Sequence, residues 1–445
     1  MKEAMTPTAT PITAIDEVAK LCQDLLRIDT TNFGNNEGMG ERKAAEYVMA
    51  ALHEVGLEPE LFESLPGRAN VVVRLPGLDQ TRPALVLHGH LDVVPAQADE
   101  WSVDPFGGEE IDGLLWGRGA VDMKDMIAMM LAVVRQMARE GRKPARDIVL
   151  AFFADEEAGG QYGAHWAVTN RPELFEGATE AISEVGGYST MIGGQRAYLL
   201  QTAEKSLSWL KIIAEGTAGH GSQVAQDNAV TKLAAALTRI GQYQWPYLMT
   251  PTVDELMRGV SDITGLPYEP DNPQMIDQLV AAMGPAARFV SATVQHTTNP
   301  TQLMAGYKSN VIPRVAEAVI DARFLPGHEA AGMAKLLELG GPDVRFESLV
   351  ESTALEVPFR GNLVDAMVAS LLEFDPGAKV LPYSLSGGTD NKSLSELGIV
   401  GYGFAPLQLP PEMDFPAMFH GVDERVPISA LKFGVQVLDR LLATC

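Results

Sequence analysis

Leu85-Val-Leu-His88-Gly-His90-Leu-Asp92 reads as a short apolar strand that ends in a histidine and a carboxylate two positions apart. Further along, Trp116-Gly-Arg-Gly-Ala-Val-Asp122 is a Gly-rich turn that delivers an aspartate to the start of an apolar helix. Ligands of open α/β sheets gather beyond the carboxyl ends of the strands. An imidazole and carboxylates at the ends of such elements therefore predict a metal site.

The gross composition is that of a soluble globular enzyme with two or three domains, since the chain has 445 residues of which 46% are hydrophobic and 21% charged. The net charge of −24 argues against nucleic acid and against anionic membranes as partners. Residues 1–11 lack the apolar core of a secretory signal, and the longest apolar run, 126–134, is too short to span a membrane. With two cysteines and no disulfide pattern, we expect a cytoplasmic protein.

The order of predicted elements indicates an α/β protein interrupted by a second domain. Up to residue 204, apolar strands alternate with amphipathic helices, which predicts a three-layer α/β/α architecture. Residues 205–352 have a different texture, mainly strands with one clear helix, and after residue 352 the first texture returns. We therefore expect a catalytic domain formed by residues 1–204 and 353–445, with an inserted α+β domain at 205–352. A Pro- and Met-rich part of the insert, 243–283, carries no predicted structure.

The two histidines of the first strand are the first candidate ligands. His90 is interpreted as a metal ligand and Asp92 as the carboxylate that orients it, because a ligating histidine usually donates its other N–H to such a group. His88 lies on the same face of the strand and is a second candidate. Asp122 begins a helix, where an aspartate is often only a cap. The Gly-Arg-Gly before it favours a site, since glycines let backbone approach closely.

Acidic residues follow two more predicted strands. Strand 147–154 ends in Asp155-Glu156-Glu157, and three acids at the end of an apolar strand are costly unless they face water or a cation. An exposed acidic loop is the alternative. Two adjacent carboxylates suit a division of labour in which one binds metal and the other moves a proton. Glu184 ends another strand, and His420 lies in a loop before the last helix.

Together these segments resemble the co-catalytic zinc exopeptidase family that includes aminoacylase, glutamate carboxypeptidase, acetylornithine deacetylase and succinyl-diaminopimelate desuccinylase. The resemblance extends from the first helix to the last, and its segments appear in the family's order. They are His90-Leu-Asp92-Val-Val-Pro, Gly117-Arg-Gly-Ala-Val-Asp122-Met-Lys, Asp155-Glu156-Glu157-Ala-Gly-Gly, Glu184, Gly219-His220-Gly-Ser, Asn310-Val-Ile-Pro, Ser386-Gly-Gly-Thr-Asp and Phe419-His420.

The resemblance implies a role for each residue of a two-metal site. Asp122 bridges both metals, and its peptide bond to Met123 is cis. One metal is held by His90 and Glu184, the other by Glu157 and His420. Glu156 is the general base and later the proton donor, Asp92 orients His90, and His88 is not a ligand. The metals are expected to be zinc, with cobalt or manganese as alternatives.

The resemblance also implies that residues 205–352 form a lid and dimerisation domain. Its histidine, His220, would reach across a homodimer to stabilise the oxyanion in the partner's site. Asn310 and Arg323 fall in segments where relatives bind a substrate carboxylate, and Gly387 and Gly388 add backbone N–H groups. A structural ion pair is the alternative for Arg323.

The implied function is metal-dependent hydrolysis of a terminal amide next to a free carboxylate, in an N-acyl amino acid or a small peptide. Deacylase and carboxypeptidase or dipeptidase action need the same metals, base and anchor, so the sequence leaves the substrate open. The alternative from another class is a catalytically silent binding protein on the same fold. Such a chain is expected to lack the base or one ligand, and this chain has both.

Overall fold

The computed structural model describes residues 12–445, so the segment 1–11, predicted not to be a secretory signal, lies outside the described residues. The helices are α1 (Ala14–Leu26), α2 (Arg42–His53), α3 (Lys124–Glu140), α4 (Ala164–Asn170), α5 (Ala229–Gln242), α6 (Pro251–Thr264), α7 (Pro273–Ala281), α8 (Ala287–Val290), α9 (Glu329–Gly340), α10 (Asn362–Phe374), α11 (Asn391–Ser395) and α12 (Ile428–Thr444). None of the helices in residues 12–445 combines the length and the apolar character that a membrane crossing requires.

The strands are β1 (Glu60–Leu65), β2 (Arg68–Leu75), β3 (Ala84–His90), β4 (Glu109–Ile111), β5 (Leu114–Trp116), β6 (Ile148–Phe153), β7 (Ala178–Ser183), β8 (Tyr188–Ile192), β9 (Gln195–Glu204), β10 (Leu207–Glu215), β11 (Gly219–His220), β12 (Thr297–Ala305), β13 (Val311–Ile312), β14 (Val315–Arg323), β15 (Val344–Ser352), β16 (Leu355–Glu356), β17 (Lys379–Leu385), β18 (Val400–Gly403) and β19 (Arg425–Pro427). Both cysteines are buried and free.

The main sheet has the order β1-β2-β6-β3-β7-β18-β9-β16, with β8 and β17 also paired to β9. Strand β3 runs parallel to both of its neighbours, β6 and β7. The longer helices α1, α3 and α12 bury their apolar faces on one side of this sheet, and α4 and α11 cover the other. The predicted three-layer α/β fold is therefore confirmed.

A second, four-stranded sheet has the order β12-β14-β10-β15 and its own core. Alternate residues of β10 and β14, such as Ile212 and Ile320, point to one face, where they pack against Leu233 of α5 and Leu336 of α9. This sheet and its two helices come from the segment 205–352. The division of the chain at residues 204 and 353 stays a prediction.

The segment 243–283, for which the sequence predicts no structure, contains α6 and α7. Helix α6 begins with Pro at its first position and ends at Gly265 in a left-handed conformation, which is how helices commonly start and stop. Its buried residues, among them Leu256 and Val260, belong to the core of the main sheet and not to that of the second sheet. Helix α6 therefore extends the main core towards β17.

Candidate metal centre

Three of the five predicted ligands lie at the carboxyl ends of three parallel strands. His90 is the last residue of β3, Glu156 and Glu157 form a short 3-10 helix after β6, and Glu184 follows β7 directly. Because β3 pairs in parallel with both β6 and β7, these three strand ends meet at one edge of the sheet. Asp122 joins them from the turn that precedes α3.

His90 is buried and presents one nitrogen to two carboxylates. Its Nε2 lies 3.1 Å from Asp122 Oδ1 and 3.5 Å from Glu184 Oε2. Its Nδ1 lies 2.9 Å from the backbone oxygen of Asp92, to which it donates. A donating Nδ1 leaves Nε2 as the nitrogen that faces the carboxylates, which is the arrangement of a ligating imidazole.

His420 approaches the same aspartate from the opposite side. Its Nε2 lies 3.2 Å from Asp122 Oδ2 and 3.1 Å from Glu157 Oε2, and its ring is exposed where His90 is buried. Asp122 thus presents one carboxylate oxygen to each histidine. A carboxylate in this position can bridge two cations, and the exposed ring of His420 shows which side of the site faces solvent.

The donor set fits a pair of divalent cations. Ligand atoms of His90, Glu156 and Glu184 lie within 4.8 Å of one another, and so do those of His90, Asp122 and Glu157. Among the described residues, the buried Oε1 of Glu157 has no hydrogen-bond partner. Buried carboxylates this close to one another are unfavourable without positive charge. Carboxylates and imidazoles together suit zinc, cobalt or manganese.

The pKa shifts at the site show the same imbalance of charge. Burial raises the pKa of Glu184 and of Glu156 well above the usual value. Burial also opposes ionisation of Asp122, but hydrogen bonds from His420 and His90 hold its pKa well below the usual range. Hydrogen bonds to Asp122 and Glu157 raise the pKa of His420 to about 10. The carboxylates therefore need positive partners, which is what cations supply.

Asp92 connects the end of β3 to the loop that carries both glutamates. Its carboxylate accepts the backbone N–H groups of Glu156 and Glu157, each at 3.1 Å, and the side-chain amide of Asn32 at 2.9 Å. The same carboxylate lies 3.5 Å from His90 Nδ1. Asp92 therefore orients His90 mainly through its backbone oxygen, while its side chain fixes the turn of the two glutamates.

Asn32 is a residue that the sequence did not single out. It is buried, its amide also donates to Asp155 Oδ1 at 3.0 Å, and its oxygen accepts from Arg68 at 3.0 Å. It therefore links two carboxylates to a buried guanidinium behind the site. The only signal for it is its place in the polar, Gly-rich loop after α1.

Three residues beside the site have a left-handed backbone without being glycine: Asp155, Val185 and His420, with φ of 67°, 57° and 57°. Such conformations are uncommon for L-residues and cluster at functional sites. Asp155 is held in place by hydrogen bonds to Asn32 and to the backbone of Tyr162. The peptide bond between Asp122 and Met123 is cis, as the resemblance implies.

His88 does not face the site. It is fully buried, and its Nε2 lies 2.9 Å from Asn391 Oδ1. Burial lowers its pKa to about 4, so the ring is neutral at physiological pH. This is the environment of a structural histidine, in line with the implied assignment.

The residues predicted for substrate binding and oxyanion stabilisation lie in three places: the two-stranded β11–β13 sheet, the end of β14, and the turn between β17 and α11. His220 and Asn310 are neighbours, because β11 pairs with β13 and Gly221 N–H donates to the Asn310 oxygen at 2.8 Å. His220 is exposed, and its Nδ1 lies 2.8 Å from the hydroxyl of Ser222. Within the described residues, no hydrogen bond joins His220 to the five predicted ligands.

Arg323 ends β14 and forms a two-pronged ion pair with Asp321, at 2.7 and 3.1 Å. The structural ion pair that the sequence left as an alternative is thus present. Gly387 and Gly388 form the turn between β17 and α11, and a side chain at Gly388 would press on that of Lys392.

Two comparisons of sequence agree with this geometry. The model of peptidase family M20/M25/M40 matches residues 86–444. The chain is 26% identical to the N-fatty-acyl-amino acid synthase/hydrolase PM20D1 of Xenopus tropicalis, over 96% of this chain and 85% of that protein. It is 27% identical to aminoacylase-1 of Sus scrofa, over 90% of this chain and 89% of that protein.

Solved structures share the fold at low identity. The M20 family metallo-carboxypeptidase Sso-CP2 from Sulfolobus solfataricus is 16% identical, with a TM-score of 0.73 over 96% of this chain and 99% of that one. The YXEP protein of Bacillus subtilis, described as a dinuclear metal binding peptidase, is 12% identical, with a TM-score of 0.60 over 97% and 99%.

Proposed function

The chain belongs to peptidase family M20/M25/M40, and from that premise we propose that it hydrolyses the amide bond of an N-acyl amino acid with a free carboxylate. Family membership makes it a metal-dependent hydrolase of carbon–nitrogen amide bonds, as its motifs predicted. The finer proposal concerns which residues act, which metal they hold and which amide they cleave.

One observation carries the proposal: Asp122 offers one carboxylate oxygen to His90 and the other to His420. We assign Asp122 as the bridging ligand, with His90 and Glu184 on one side and Glu157 and His420 on the other. Zinc is the metal we expect. Two such cations, when bound, polarise the scissile carbonyl and lower the pKa of an attacking water towards about 7.

Glu156 is the residue we assign to proton transfer. It takes a proton from the attacking water as the water oxygen forms a bond to the carbonyl carbon. It then gives that proton to the nitrogen of the leaving amine as the carbon–nitrogen bond breaks. Asp92 supports this role, since its carboxylate holds the backbone of Glu156 in place.

The relatives found by sequence favour an acylated amino acid over a dipeptide, because the two reported above are named as an aminoacylase and an N-fatty-acyl-amino acid synthase/hydrolase. An apolar surface for the acyl group lies beside His420. There, Phe419 packs edge-on against Phe289 and Phe415, with ring centroids 5.4 and 5.2 Å away. Phe289 lies in α8, and its partial exposure, like that of Phe419, leaves apolar surface for a substrate.

The proposed function is tested by turnover of matched substrates. We expect the zinc-loaded enzyme to hydrolyse N-acyl amino acids faster than dipeptides, and to lose most of that activity when the substrate carboxylate is blocked as an amide. Products are measured by mass spectrometry, and a chelator-treated sample is the control for metal dependence. Equal rates on the free and the blocked acids would rule out a carboxylate anchor.

Arg323 is the proposed anchor, and its ion pair with Asp321 makes a matched test possible. Losing a charged hydrogen-bonded pair costs about 1.5–3 kcal/mol, so Arg323→Ala should raise KM by roughly tenfold to a hundredfold. Asp321→Asn removes the same ion pair but keeps the guanidinium, so its KM should stay near the wild-type value. If both variants raise KM equally, Arg323 has only the structural role.

Four further residues complete the proposal. We assign Asn310 to binding of the substrate carboxylate, and Gly387 and Gly388 as donors of backbone N–H groups to the substrate. We assign His220 to the partner subunit's oxyanion in a homodimer formed through residues 205–352, since among residues 12–445 its side chain hydrogen-bonds only to Ser222. Sedimentation should then give a dimer, and mixing Glu156→Gln with His220→Ala chains should restore turnover. A monomer with full activity would exclude this arrangement.

A further inference from the structure

Glu424 lies in the same loop as His420, at the start of β19, and is fully buried. The mechanism proposed above does not use it. A buried carboxylate loses its hydration and is costly unless its oxygens are hydrogen-bonded. Its retention in the interior therefore calls for an explanation from its contacts.

Both oxygens of Glu424 are engaged by the turn that delivers Asp122. Oε2 accepts from the Arg118 guanidinium at 2.8 Å and from Gly119 N–H at 3.0 Å. Oε1 accepts from Val121 N–H at 2.6 Å and from the N–H of Asp122 itself at 3.2 Å. One side chain thus accepts three backbone N–H groups of a single turn and pairs with a buried guanidinium, all immediately before or at the aspartate assigned as the bridging ligand.

The backbone of Glu424 adds a further connection, since its oxygen accepts from Gly117 N–H at 3.0 Å. Arg118 is fixed in turn by its position over the ring of Trp101, 5.1 Å from the centroid. The loop of His420 and the turn of Asp122 are therefore held together through buried, charged hydrogen bonds, which are stronger and more directional than neutral ones. A shift of one loop must carry the other with it.

We propose that Glu424 is a positioning residue of the metal centre, which sets the distance between Asp122 and His420 and thereby the affinity of the site for its second cation. This inference rests on the proposed function, because it takes the five ligands as assigned. Groups that orient metal ligands without touching the metal typically change metal affinity by about 10–100-fold when mutated.

The test is a zinc titration of Glu424→Gln by calorimetry with a competing chelator. The amide keeps the size of the side chain, but its nitrogen cannot accept a hydrogen bond, so at least one N–H of the turn and the Arg118 charge lose a partner. We expect the dissociation constant of the weaker zinc site to rise about 10–100-fold, with the stronger site changed less. Arg118→Lys, which keeps the charge but not the planar fork, should shift the same constant by a smaller factor.

Glu17→Gln is the matched control, because Glu17 forms a largely buried ion pair with Arg135 near the other end of α3. It should lower the thermal midpoint of unfolding without changing either zinc constant. Unchanged zinc affinity in Glu424→Gln, or an equal loss in Glu17→Gln, would overturn the proposal. If Glu424→Gln does not fold, Arg118→Lys serves as the test in its place. An unchanged dissociation constant of the weaker zinc site in Arg118→Lys would then overturn the proposal. A wild-type chain that binds no zinc would instead refute the metal centre itself.

Discussion

Glutamine at position 156 is expected to lower kcat by about 10²–10⁴-fold while the chain keeps all of its metal, because an amide cannot accept the proton of the attacking water. Glu156 and Gln have the same shape, and the backbone N–H that Asp92 holds is unaffected. Turnover of an N-acyl amino acid and metal content by elemental analysis are measured on the same preparation.

Glu157→Gln is the control for Glu156, since the two residues are adjacent in one short 3-10 helix and share the carboxylate of Asp92. This variant should lose metal together with turnover, because Glu157 lies 3.1 Å from His420 Nε2 on the proposed ligand side. Wild-type turnover in Glu156→Gln would show that Glu156 is not the general base. Loss of metal in both variants would make Glu156 a ligand.

The second large effect is expected at Asp122. Asp122→Asn removes the negative charge that faces both histidines, so both cations should bind more weakly. The loss of affinity should exceed the roughly 10–100-fold that is typical when a residue that only orients a ligand is mutated. Turnover at micromolar zinc should fall with metal content. The measurement is zinc stoichiometry after equilibrium dialysis, followed by turnover over a range of zinc concentrations.

Asp147→Asn is a matched control for this exchange, because Asp147 precedes β6 at the end remote from the site and pairs with Arg74. It should keep wild-type stoichiometry. His420→Ala should lose one metal where Asp122→Asn loses two. If Asp122→Asn kept one full equivalent of zinc with unchanged affinity, the aspartate would serve only one cation.

Much of the fold could be predicted from periodicity alone. Strand β6 lies within one residue of each end of its predicted range, 147–154, because apolar strands and amphipathic helices have distinct periods. The segment 251–264 was missed although Pro251 and the apolar spacing of its buried residues indicate a helix. That it packs on the main core depends on contacts with β17, far away in the chain, which no local pattern encodes.

The candidate ligands could be predicted because their residue types and order match a known family, and their strand-end positions follow from the α/β pattern. The contacts that hold these ligands in place could not be predicted. The sequence suggests that the Asp92 carboxylate orients His90, whereas the structure gives that contact mainly to the Asp92 backbone. Beyond the place of Asn32 in a polar, Gly-rich loop, Asn32 and Glu424 carry no local signal, since a buried polar residue and an exposed one look alike in a loop. Their roles depend on neighbours from distant segments.

The most direct test of the account is the position of bound metal in zinc-soaked crystals, read from anomalous scattering at the zinc edge. We expect two peaks on either side of Asp122, one at His90 Nε2 and Glu184, the other at His420 Nε2 and Glu157. A single peak, or two peaks that do not share Asp122, would contradict the account.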